Sequence, residues 1–212
     1  MRRTSYFASR LRAAPLVFVL GLVGVAPLGC VDTSDEVAFA PTGGTTDAAP
    51  GCDGAEPPDG QLRGLVYAVP TVTRRLPDFR SLRPFGAICT ESLGVTERRG
   101  YPGFPGIRGR YEWFAIDFQG TFVVTEPGLF HFRLTSDDGT KLFIDGAQVI
   151  DNDGFHVTRT AESAVYLAAG PHGIAVPFWQ GPGPLALILE VARPGEPYEV
   201  FQVNRPLEGG AP

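Results

Sequence analysis

Apolar and polar positions along this chain alternate in short runs rather than in helical turns. Residues 129–135 show it most cleanly: Phe130, Phe132 and Leu134 fall on one side of an extended strand, His131 and Arg133 on the other. Residues 62–69 are a further strand candidate, and 70–110 read as loop, carrying RRLPDF and GYPGFPG. Residues 113–125 form one run that Gly120 breaks. Residues 141–144 and 147–150 flank Asp145-Gly146, a strong two-residue hairpin signal. Residues 163–167 lead into the turn AAGPHG, and 174–179 lead into GPGP. Residues 185–191 are a continuous apolar strand, and 198–203 close the sheet. No segment keeps a helical period beyond about two turns. The pattern predicts an all-β fold, a sandwich or barrel of eight to ten mainly antiparallel strands.

Composition agrees. The 212 residues include 27 glycines, 20 prolines, 15 phenylalanines and one methionine, which suits many strands joined by tight turns. Residues 31–60 differ from the rest: they are rich in Gly, Pro, Thr, Asp and Ala and nearly lack large apolar side chains. Such a stretch cannot bury enough surface to fold, and it reads as a flexible tether. The domain then spans 61–204, with 205–212 as a tail.

The N-terminus carries Arg2, Arg3, Arg10 and Arg12, then an apolar run over 13–28, then Gly29-Cys30. That is the plan of a secretory signal, too short for a membrane span, which needs about 20 apolar residues. A small residue before Cys30 resembles a bacterial lipobox, with Pro27 departing from the usual pattern. The resemblance implies lipidation at Cys30 and placement at a bacterial outer membrane or cell surface; plain cleavage implies a periplasmic or secreted protein. Export implies an oxidising compartment. There Cys52 and Cys89 either pair or stand as two thiols, and spacing does not choose between these. The net charge is −5 overall and −9 once the four N-terminal arginines are removed, so nucleic acid is not expected as a partner.

Residues 128–152 read GLFHFRLTSDDGTKLFIDGAQVIDN, and AAGPHGIAVPFWQGPG follows at 168–183. With GLVYAVP and RRLPDF upstream, this resembles the PA-fourteen (protective-antigen type) domain over about residues 61–204. The resemblance implies a noncatalytic β-sandwich found in toxins, glycosidases and adhesins, which in the adhesins binds sugars through calcium. It implies two adjacent Asp joined by a cis peptide, here Asp137 and Asp138, and an amide from a second loop, here Gln180. Trp179, beside that loop, is the aromatic candidate for stacking on a sugar. Calcium chemistry fits these residue types, since the ion takes six to eight oxygen ligands from carboxylates, carbonyls and water. The expected function is therefore a cell-surface glycan-binding or adhesion module using Asp137, Asp138, Gln180 and Trp179. The alternative is a structural or protein-interaction sandwich in which the Asp pair only bonds to backbone amides.

Other candidates are weaker. Asp151-Asn152-Asp153-Gly154 begins like a calcium loop, but Phe155 and His156 stand where an oxygen ligand and a glycine are needed. His131, His156 and His172 lie on separate elements without zinc-site spacing. No GxSxG motif occurs, and domain plus tether occupy the length a catalytic domain would need, so no enzyme is expected.

Overall fold

The computed structural model describes residues 45–46, 52, 56–100 and 103–209. The signal segment, Cys30 and most of the tether lie outside these residues. The strands in chain order are β1 (Thr45–Thr46), β2 (Leu62–Ala68), β3 (Pro84–Thr90), β4 (Gly94–Arg99), β5 (Ile107–Arg108), β6 (Phe114–Val124) and β7 (Gly128–Asp137). They continue with β8 (Thr140–Ile144), β9 (Ala147–Asn152), β10 (Arg159–Leu167), β11 (Gly170–Gln180), β12 (Pro184–Ala192) and β13 (Glu199–Val200). The one helical turn among the described residues is a short 3-10 segment, Phe79–Ser81.

Two antiparallel sheets make a sandwich. One has six strands in the order β3-β2-β6-β11-β8-β9; the other runs β10-β7-β12-β13, with β4 also paired to β12. Leu62, Ile116, Phe118 and Val176 of the first sheet meet Phe130, Phe132, Leu134 and Leu187 of the second in one core, all buried. The alternation read in 129–135 is the cause, because every second residue of β7 points inward. Each large side chain so buried contributes about 1.5–3 kcal/mol.

The strand expectations met three differences. Residues 84–99, read as loop, supply β3 and β4. β3 lies at a sheet edge and β4 is mostly exposed, so neither needs a strong apolar alternation. Gly120 does not break β6. A side chain there would press on Leu62 and the Gln61 carbonyl, so the glycine marks close approach of two strands. Residues 198–203 contribute only the short β13. Pro177 sits inside β11, where its missing N–H falls in a gap between the paired positions Ala175 and Phe178 of the β8 ladder.

Two points of the stretch read as a tether touch this domain. Thr45 and Thr46 pair with Arg108 and Ile107, and buried Cys52 is disulfide-bonded to Cys89 of β3.

Candidate functional site

At one end of the sandwich β7 stops at Asp137, a three-residue turn Asp137-Asp138-Gly139 follows, and β8 begins. The peptide between the two aspartates is cis. Both carboxylates are buried, with residue exposures of 4% and 1%. Asp138 is held from two loops: the His156 amide donates to Oδ1 (3.1 Å) and the Gly181 amide to Oδ2 (2.7 Å). Burial pushes its pKa up to about 6; those two amides pull the other way, and Asp137 adds to the rise. Asp137 is also raised, first by burial, with Thr158 opposing and the charge of Glu97 reinforcing it. The Thr158 hydroxyl has one proton and lies 2.6 Å from Glu97 but 3.4 Å from Asp137, so Asp137 receives little from it. Among the described residues, no lysine or arginine forms an ion pair with either carboxylate.

Gln180 ends β11 and is fully buried. Its Nε2 donates to the carbonyls of Gly181 (3.1 Å) and Pro184 (2.8 Å), tying the 181–184 loop together. Those two acceptors fix which end of the amide is nitrogen. Oε1 is then a buried acceptor with no donor. An orphan of this kind costs about 1–3 kcal/mol unless something positive meets it.

Gly139 is dictated by crowding. A side chain there would strike the Trp179 indole, the Gly154 amide at 2.7 Å and Asp153 at 2.8 Å. Its carbonyl accepts from the Trp179 amide (2.9 Å), which ties the aspartate turn to β11.

The structure thus brings Asp137, Asp138 and the Gln180 loop together and corrects the role expected of Trp179. The indole is fully buried against Val69, Ala115, Leu76 and Trp113 and presents no face to a ligand. Its backbone position at the inner end of β11 turns the side chain into this small second core. The exposed ring at the rim is Phe155, 52% exposed, whose centroid lies 6.3 Å from that of Trp179.

Sequence reasoning missed the bracing residues Glu97, Thr158, His156 and Gly181, since nothing local marks them. The Asp151–Gly154 turn proves to be bracing too. Asp151 pairs with Lys141 (2.9 Å), and Asp153 accepts from the amides of Leu76 (2.9 Å) and Gly154 (2.8 Å). Among the described residues no three His, Cys, Asp or Glu side chains gather as metal ligands, so a cation here must complete its shell with amide, backbone or water oxygens.

Residues 105–204 match the family model of the PA14 domain. β2, β3 and β4, which pair into the two sheets, lie upstream of the match. Solved structures agree on the fold. The PA14 sugar-binding domain from an RTX adhesin is 18% identical, with a TM-score of 0.58 over 71% of this chain and 99% of that one. The PA14 domain of the MpAFP antifreeze protein is 18% identical, with a TM-score of 0.59 over 76% and 98%. The Epithelial Adhesin 9 A domain from Candida glabrata, solved with Galb1-3GlcNAc, is 12% identical, with a TM-score of 0.50 over 77% and 93%. No curated protein sequence matches the chain.

Proposed function

We propose that this protein is a noncatalytic, exported glycan-binding or adhesion module whose Asp137–Asp138 turn and Gln180 loop hold a calcium ion. The observation that carries the reading is the buried Gln180 Oε1 without a donor, in the residue next to Gly181, whose amide holds the buried Asp138, with neither buried carboxylate ion-paired among the described residues. Each Asp138 oxygen accepts one amide and keeps a lone pair, so the donor set fits a hard divalent ion. Calcium bound there would neutralise the pair and offer coordination positions to vicinal hydroxyls of a sugar. Glu97 and Thr158 position the Asp137 side, and His156 and Gly181 position Asp138. The sugar-binding RTX adhesin domain and the glycan-bound Candida glabrata adhesin share the fold, which supports glycans as the partner class. Attachment through Cys30 would place the module at the cell surface.

The second reading, a metal-free structural module, draws on Asp138 itself, whose two oxygens already accept backbone amides. Calcium titration by calorimetry and thermal melting separates the two. At a hundredfold excess over Kd, calcium is expected to stabilise the domain by about 2.7 kcal/mol. Chelator is expected to reverse the effect and to abolish binding on a glycan array. No response of stability or glycan binding to calcium would leave only the structural reading.

A further inference from the structure

We propose that the saccharide received here is acidic, with a carboxylate or sulfate oxyanion bound by Arg74 beside the Asp137–Asp138 turn. The inference rests on the glycan reading above and names its ligand class. Arg133 and Arg205 are committed, closing on Glu190 (2.6 Å) and Glu199 (2.8 Å). Arg74 is different. It is exposed and forms no ion pair with any described residue. One guanidinium nitrogen, Nη1, donates to the carbonyls of Thr71 (3.2 Å) and Thr73 (2.8 Å), while Nε and Nη2 have no acceptor among the described residues. The guanidinium lies 5.2 Å from the Phe155 ring centre and 5.8 Å from that of Trp113. Stacking and the two carbonyls hold the group in place before any ligand arrives, which lowers the ordering cost of binding. A planar guanidinium with a free edge matches a two-oxygen anion.

Phe155 links this arginine to the aspartate turn. Its ring edge lies over Gly181, whose amide holds Asp138, and Arg74 stands over the same ring. The segment 70–83 that presents Arg74 carries four arginines and one acid, Asp78, in a chain of net charge −5. A long polyanion would be repelled by the acidic whole, whereas a single acidic substituent at this rim meets the local positive charge.

The test compares three forms of one immobilised oligosaccharide, neutral, carboxylated and sulfated, for binding by the whole protein in calcium. Wild type is expected to prefer at least one acidic form by about tenfold, a difference of about 1.4 kcal/mol. Which acidic form is preferred tells carboxylate from sulfate. Arg74→Gln is expected to bring the acidic-to-neutral ratio close to one, and Arg74→Lys to keep part of it, with thermal melts confirming that both variants fold. Arg83→Gln, on the same segment but away from both rings, is expected to keep the full ratio. Calcium-dependent binding with no acidic preference overturns this inference and leaves the glycan reading standing. An equal loss in Arg83→Gln overturns the assignment to Arg74. No glycan binding of any form overturns both.

Discussion

Strand β8 has an Asp-Gly turn at each end, and the two turns treat their carboxylates in opposite ways. After β8, Asp145 (φ 51°) and Gly146 (φ 78°) make the tight hairpin into β9. The Asp145 side chain is half exposed and its charge is matched. It accepts from His172 Nδ1 (2.7 Å) and from the Gly173 amide (2.8 Å), and the histidine bond, above all, holds its pKa below the usual carboxylate range. His172 also reaches the Ala168 carbonyl (2.8 Å), so both ring nitrogens face acceptors. Burial opposes its charge, but the Ala168 carbonyl and Asp145 outweigh burial and raise its pKa. Before β8, Asp138 is buried, raised to about 6, and forms no ion pair among the described residues. The same residue types thus build a turn whose carboxylate is ion-paired and a turn whose carboxylates are not. The unpaired one is where we propose that a ligand binds.

Breaking the two turns by volume is expected to give the largest contrast. Gly139→Ala would force a methyl group onto the Gly154 backbone and Asp153, with an expected cost of about 3 kcal/mol in urea denaturation. Gly146→Ala meets open space and costs only the left-handed backbone, about 1–2 kcal/mol. Equal costs would show that the aspartate turn is not the crowded one.

A smaller effect tests the cation. Asp137→Asn removes charge at nearly constant shape and is expected to abolish the calcium-induced rise in Tm. Asp145→Asn, which keeps a residue tolerant of positive φ, is expected to leave that rise intact. A calcium response that survives Asp137→Asn, or is lost in Asp145→Asn, would refute the assignment.

A third contrast is in pH dependence without calcium. Asp138 has a folded pKa above its unfolded value, so the folded state binds more protons and stability falls as pH rises from about 4 to about 6. Asp138→Asn is expected to flatten that slope. Asp145 has a lowered pKa, so its contribution is present above the unfolded value and fades in acid. Asp145→Asn is expected to reduce the acid-side loss. His172, raised, stabilises below its unfolded pKa and loses that contribution as pH rises through its folded value. Denaturation midpoints of the three single variants across pH 4–8 check the signs.

Much of the fold was legible because the signals were local. Alternation in 129–135 assigned the inward face of β7, and Asp145-Gly146 marked the hairpin. β3 and β4 escaped because an edge or mostly exposed strand needs no apolar period, and Gly120 misled because its neighbour, Leu62, is 58 positions away. In the site, Asp137, Asp138 and Gln180 were readable as residue types on two loops.

What the sequence alone determined is the all-β character and the turn positions, since each depends on spacing or on neighbours in the chain; the oxygen-rich residues of the candidate site came from the family resemblance. Tertiary structure decided the rest. It buried Trp179 and put Phe155 at the rim, set Gly181 and His156 on Asp138, left Gln180 Oε1 without a donor, and stood Arg74 over two rings. Burial, desolvation and unmatched charge arise only when distant strands meet, and no run of residues carries them by itself.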